Sequence, residues 1–202
     1  MKKMLSFGLV VFLLTAMCVL PASAAPLTHT VVKGDTMWKL AVKYQVGTSE
    51  IIDANPHINN PDLIYPGQVL TIPQPDFSVR SFEQEVIRLV NEQRVKNGLN
   101  PLTENWELSR VARYKSQDMV DNRYFSHTSP TYGSPFQMIR AFGISFRQAG
   151  ENIAYGQRTP QAVVNAWMNS SGHRANILNA SYTQIGVGYV AAGNYWTQMF
   201  IG

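Results

Sequence analysis

Gln184-Ile185-Gly186-Val187-Gly188-Tyr189-Val190, then Ala192-Gly193-Asn194, then Tyr195 through Ile201, closes the chain on a period of two. Such alternation on either side of a Gly-Asn turn reads as two antiparallel strands. Upstream the period is helical. Phe82, Val86, Leu89 and Val90 share one face of a helix that Gly98 stops. Leu108, Val111, Ala112 and Met119 mark a second helix, and Phe136 to Phe142 a third, with Pro135 in its first turn and Gly143 at its end. Thr159-Pro160 supplies the cap and first-turn proline of a fourth, which carries Val163, Val164, Ala166 and Trp167. Helices followed by antiparallel strands imply an α+β layered domain over residues 82–202.

A smaller unit precedes it at residues 29–73. Thr30-Val31-Val32 is a strand candidate, Lys33-Gly34-Asp35 a turn, and Asp35 or Thr36 the cap of a helix bearing Trp38, Leu40, Ala41 and Tyr44. Gly47-Thr48-Ser49-Glu50 starts a second helix with Ile51, Ile52 and Ala54, stopped at Asn55-Pro56; Gln68 to Ile72 then alternates as a strand. The order is βααβ. Trp38, at helical spacing with Ala41, is expected in the core. Residues 74–81, with Pro75 beside Pro73, read as a linker whose eight residues extend at most about 26 Å, so the two units stay close.

Residues 1–24 read as a cleaved export signal. Lys2 and Lys3 form its charged end, Leu5 to Leu20 its apolar run, and Ala22-Ser23-Ala24 the small residues at the cleavage site. The apolar run is short for a membrane span, so no transmembrane anchor is expected after cleavage. Removing the signal takes away Cys18, the single cysteine, and disulfides with it. Without Lys2 and Lys3, the 17 Lys and Arg become 15 against 13 Asp and Glu, a formal +2. That balance offers nucleic acid no basic surface. The composition, 45% hydrophobic and 15% charged, fits a packed protein with a polar but sparsely charged exterior.

Two resemblances follow from specific motifs. Val31-Val32-Lys33-Gly34-Asp35-Thr36-Met37-Trp38-Lys39-Leu40-Ala41, Asn55, and Tyr65-Pro66-Gly67-Gln68-Val69-Leu70-Thr71-Ile72-Pro73 make residues 29–73 similar to a LysM domain. The resemblance implies binding of N-acetylglucosamine polymers, peptidoglycan or chitin. Its glycan would lie between the loop of Gly34, Asp35, Thr36 and Met37 and the loop of Ile64, Tyr65, Pro66 and Gly67. An N-acetyl group offers an amide for loop backbone and a methyl for Met37 or Ile64, and glycine permits close approach. Taken alone, the two glycines read as ordinary turn geometry, so the sugar reading rests on the resemblance.

Asn91-Glu92-Gln93-Arg94, Tyr124-Phe125-Ser126-His127, Gly150-Glu151-Asn152-Ile153-Ala154, Ser171-Gly172-His173-Arg174-Ala175-Asn176-Ile177-Leu178 and Tyr182-Thr183-Gln184 resemble the CAP (SCP-like) superfamily in its cysteine-free bacterial form. That resemblance implies an α-β-α sandwich with a cleft of two histidines and two acids, which in some members binds a divalent metal, often zinc. His127 and Glu151 match the first histidine and the glutamate. The second acid and second histidine would fall at Ser170 and Ser181, leaving a candidate triad of His127, Glu151 and His173. Two imidazoles and a carboxylate can hold zinc, here through His127 and His173, with a position open for water. The same groups can transfer protons. Their separations along the chain encode no local ligand pair.

The resemblances imply a secreted cell-wall protein, peptidoglycan-bound through its LysM unit, with a spore envelope as a suitable setting. Alternatives are a metal-dependent hydrolase of wall polymer or peptide, and a non-catalytic lipid- or signal-binding module. For the latter, Tyr124, Phe125, Tyr132 and Phe136 are candidates to line a groove, or simply core. No nucleophile-elbow pattern surrounds Ser170 or Ser171.

Overall fold

A computed structural model describes residues 26–202; the export signal expected at residues 1–24 lies outside them. The first unit is built of β1 (Thr28–Thr30), α1 (Met37–Tyr44), α2 (Thr48–Asp53) and β2 (Val69–Thr71), with β1 antiparallel to β2. Thr36 Oγ1 caps α1 by accepting from the Lys39 amide at 3.2 Å, and the amide of Gly47 donates to Glu50 Oε2 at the start of α2. Met37, Leu40 and Ala41 form the inward stripe of α1 against Val31, Val46, Ile51, Leu70 and Ile72. Asn55 is buried and ties α2 to β2. Its Nδ2 donates to the carbonyls of Ile51 and Thr71, and its Oδ1 accepts from the Thr71 amide.

Two expectations need correction here. The first strand runs over Thr28–Thr30 rather than Thr30–Val32. Trp38 is not core: 67% of it is exposed, as is 42% of Val42 one turn on. The stripe of positions 37, 40 and 41 already fills the space over the two strands, and Trp38 lies on its flank.

The connector is also shorter than the sequence suggests. Asp76 accepts from the Ser78 amide at 2.7 Å and caps α3 (Phe77–Lys96), so only residues 74–76 join the units and the five residues before Phe82 are helical. Phe77, 87% exposed, contributes nothing to the apolar stripe, which Val79 opens one turn before Phe82. The remaining elements are β3 (Thr103–Glu104), α4 (Trp106–Asp121), α5 (Pro135–Ala141), β4 (Ala149–Tyr155), α6 (Pro160–Asn169), α7 (Ser171–Ile177), β5 (Gln184–Val190) and β6 (Tyr195–Ile201). Asn105, Ser134 and Thr159 cap α4, α5 and α6 with their side chains.

The sheet runs β3-β5-β6-β4, parallel between β3 and β5 and antiparallel elsewhere. Its residues alternate between two covered faces. Ile185, Val187, Tyr189, Trp196 and Phe200 meet α3, α6 and α7 in one core; Met199 and Ile201 meet α4 and α5 in another. This is the three-layer α-β-α sandwich, an α+β fold. On the second face, α4 lies directly on β5 because Gly186 and Gly188 have no side chains. A Cβ on Gly188 would stand 2.1 Å from the Arg113 amide nitrogen.

Strand β4 and helix α7 escape a reading by period. Glu151 and Asn152 interrupt the apolar pattern of β4, yet both are buried. Ser170 closes α6 and opens α7 at once, so Ser170-Ser171-Gly172 is a helix end and also the next helix start.

Candidate functional site

The two glycan loops expected in the LysM unit lie side by side. The Gly67 amide donates to the Val31 carbonyl, and the Val31 amide to the Gln68 carbonyl. Gly34 and Gly67 have φ of +95° and +92°, and nothing stands within 4 Å of a Cβ built on either. A φ beyond +90° is a conformation that side chains with a Cβ rarely adopt, and the empty space beside each glycine leaves backbone open to a ligand. Asp35 is engaged inside its own loop, on the Val32 amide and on His29 Nε2. These bonds, the histidine's first, hold its carboxyl below the usual range. Thr36 is engaged as the α1 cap. Tyr65 is 56% exposed, and Pro66 sits between it and Gly67. Met37 is buried in the core, which leaves half-buried Ile64 as the residue able to meet an acetyl methyl.

The larger domain brings His127 and Glu151 into contact. Nδ1 of His127 lies 2.7 Å from Glu151 Oε1, with the imidazole side chain 54% exposed and the carboxylate 2% exposed. Burial pushes the Glu151 carboxyl up, against the opposing hydrogen bond from His127 and the charge of Lys115. Its second oxygen, Oε2, is buried and has no partner among the described residues. His173, half-buried on α7, is close enough to feel His127. Burial, then the charge of His127, pushes its pKa down. Its carbonyl accepts from Asn152 Nδ2. Asn176 of α7 donates to the Glu151 carbonyl and to Asn152 Oδ1, fastening α7 to the edge strand β4.

The three predicted side chains thus gather around one edge of the sheet, but in unequal roles. His127 and Glu151 form a bonded pair, whereas His173 is joined to β4 through its backbone carbonyl and Asn152 Nδ2. Among the described residues no group of three or more His, Cys, Asp or Glu side chains is arranged to hold a metal ion. His127, Glu151 and His173 are not such a group. Ser170 lies at the junction of α6 and α7, and Ser181 at an exposed turn.

Two further residues build the site. Lys115 on α4 is 1% exposed, and its Nζ donates to Tyr124 Oη and to the carbonyls of Ser126 and His127. Asp118, one turn on, accepts from Asn122 Nδ2, Ser129 Oγ, Thr131 Oγ1 and Tyr124 Oη. Together they fold the segment after α4 so that His127 lies over Glu151. The signal was present: Lys115 falls in the apolar stripe of Val111, Ala112 and Met119. Of the aromatic candidates, Tyr132 packs into the core. Phe125 is 44% exposed and packs on Tyr155, and Phe136, also 44% exposed, packs on Phe146.

An imidazole whose Nδ1 is fixed by a buried carboxylate presents Nε2 outward with a defined tautomer. It can accept or donate a proton there.

Comparison with known proteins places both units. The family model described as "Cysteine-rich secretory protein family" (CAP) matches residues 87–200, and the LysM model matches residues 29–73. The uncharacterized protein YkwD of Bacillus subtilis (strain 168) is 61% identical over 125 residues, 62% of this chain and 49% of that protein. SpoIVD-associated factor A of the same strain is 44% identical over 52 residues, 26% of this chain and 13% of that protein. The chain therefore spans about half or less of these relatives. Among solved structures, an extracellular protein of Bacillus anthracis str. Ames containing an SCP domain matches with a TM-score of 0.59 at 35% identity, over 67% of this chain and 47% of that one. With the sandwich, the His127–Glu151 pair and the matched motifs in agreement, the chain belongs to the CAP family and carries a LysM domain ahead of its CAP domain.

Proposed function

We propose that this is an exported, wall-associated protein whose LysM domain grips peptidoglycan through its N-acetylglucosamine units and holds the CAP domain against the glycan. The observation that carries this reading is the pair of adjoining loops, with Gly34 and Gly67 at positive φ and open space beside both. The three-residue connector supports it, since a sugar held by one domain stays near the other. No helix of the described residues is long and apolar enough to cross a membrane. The likeness to SpoIVD-associated factor A makes the spore envelope a fitting setting. The test is retention of the full chain on purified sacculi. Gly34→Val and Gly67→Val, which strain the loops without touching the core, should each lower retention at least about tenfold. Equal retention of all three proteins ends the proposal.

A second reading rests on the His127–Glu151 pair. The outward Nε2 of His127 can act as a general base in hydrolysis of wall peptide or glycan. Release of soluble fragments from sacculi should then be lost in His127→Ala and sharply reduced in Glu151→Gln. No release by the wild type leaves the CAP domain a presented binding module. Calorimetric titration with zinc, wild type against His127→Ala, checks the metal separately.

A further inference from the structure

Between the two domains runs a groove of about 310 Å³. One wall is the flank of α1 with the start of α2, carrying Trp38, Val42 and Ser49; the other is the start of α4 with the end of α5, carrying Trp106, Glu107 and Phe142. Its floor is fixed by Arg110, whose guanidinium lies over the Phe142 ring and bonds Glu50 and Ser49. Trp38 is 67% exposed, and Val42 continues the exposed stripe one turn on. Two indoles facing one polar cleft are costly to leave in water and match the mixed surface of a sugar, whose C–H faces stack on aromatic rings while its hydroxyls pair with carboxylate, hydroxyl and guanidinium groups.

We infer that this groove is a saccharide subsite shared by both domains, in which Trp38 and Trp106 extend the glycan grip of the LysM loops onto the CAP domain. The inference rests on the LysM reading above and goes beyond it. Trp38 directly follows Met37, the last residue of the first glycan loop, and with Val42 lines the groove from α1, so loop and groove adjoin along the chain. The pocket is at the small end of the range for ligand sites, sized for a short stretch of glycan. A LysM domain cut from its neighbour would lack half of it.

The chain offers its own reporter. Of its four tryptophans, Trp167 and Trp196 are buried at 1% and 0% exposure, so a change in indole emission on adding sugar reports Trp38 and Trp106. The full chain is titrated with tetra-N-acetylglucosamine by calorimetry and by fluorescence. Wild type should bind with a blue shift in emission. Trp106→Leu and Trp38→Leu keep apolar bulk but remove the aromatic face, and each should weaken binding at least fivefold. Trp106→Phe should retain most of the affinity, which separates stacking from folding. If Trp106→Leu binds as tightly as wild type, the subsite is overturned while the LysM loops stand. If Gly67→Val binds as tightly as wild type while the tryptophan variants do not, the loop reading fails and the groove remains. If the wild type binds no sugar at all, both fall.

Discussion

Asp118 sets the shape of the segment that carries His127, because both of its oxygens are fully used. Oδ1 accepts from Asn122 and Thr131 at 2.8 and 2.6 Å, and Oδ2 from Ser129 at 2.7 Å and from Tyr124. Burial raises the carboxyl, but the bonds from Thr131, Tyr124, Ser129 and Asn122 outweigh it and hold the pKa below its ordinary value. A folded-state pKa lower than the unfolded one gives stability that is present above the unfolded value and is lost as pH falls through the folded one. Asp118→Asn should therefore cost about 2 kcal/mol near neutral pH, a drop in Tm of roughly 4–8 °C. The gap between variant and wild type should begin to narrow below about pH 4, where the carboxyl of the unfolded chain takes up its proton, and go on narrowing as pH falls through the lower folded value. A gap that stays constant from pH 7 to pH 3 would show that the bonds do not depend on the charge. At this scale the sequence revealed the chemistry but not its supports. His127 and Glu151 stand in motifs that can be matched by type and order. Lys115 and Asp118 act through oxygen atoms that only the folded loop brings to them. Arg94 is a similar case. It is 1% exposed inside a matched motif, and its donors go to the carbonyls of Asn100, Ile177, Asn179 and Tyr182. It organises the end of α7 without facing the cleft, and Arg94→Lys, which loses the planar fork, should destabilise the domain by about 3 kcal/mol in urea unfolding.

Helix α4 carries both Lys115 and Asp118, so its seat on the sheet positions the site. That seat is made by absence of side chains. Cβ atoms at Gly186 and Gly188 would come within 2.3 Å of the Leu108 carbonyl carbon and 2.1 Å of the Arg113 nitrogen, and these are backbone atoms that cannot swing aside. Ser116 Oγ, bonded to the Gly188 carbonyl and Thr197 Oγ1, confirms the close approach. Gly188→Val should push α4 off β5 and cost about 3 kcal/mol or more, measured as a lower urea midpoint. A variant as stable as wild type would mean that the helix rides higher on the sheet than this packing has it. The same pair of glycines shows what periodicity can and cannot deliver. In Gln184–Val190 the alternation with Ile185, Val187 and Tyr189 identifies a strand and its apolar face. It does not tell that the glycine face is also covered, since a face of small residues resembles one left to solvent. The four helices read from their stripes and caps all form. Strand β4 is not legible by period because its polar residues are buried for the site rather than for the core, and α7 because seven residues hold too few turns to display one.

The whole molecule poses the question of how two domains joined by residues 74–76 are held in register. Glu50 and Arg110 answer it. Arg110 Nε meets Glu50 Oε1 at 2.5 Å, with side chains 18% and 26% exposed for Arg110 and Glu50, and the guanidinium is stacked over Tyr114 and Phe142. Glu50 also receives the Gly47 amide, so one carboxylate both starts α2 and docks the CAP domain. Burial would raise its pKa, but the Gly47 amide and Arg110 prevail and hold it low. Arg80 adds a second bridge, reaching Gln45 in the LysM domain while paired with Glu104 in the CAP domain. Exposed ion pairs contribute little. This one is partly shielded, stacked and shared with a helix cap, so it should couple the domains measurably. A double-mutant cycle of Glu50→Gln and Arg110→Gln should give a coupling energy of about 1 kcal/mol. Wild type should melt in one transition, whereas Arg110→Gln, freeing the small domain from its partner, should separate an earlier LysM transition from the CAP transition in calorimetry. Forty-odd residues without a disulfide have a small core of their own, so the LysM domain gains most from docking and should show the larger loss. A cycle that sums to zero, with one melting profile for all four proteins, would mean that the connector alone keeps the domains together, and the indole-lined groove between them would then have no fixed width.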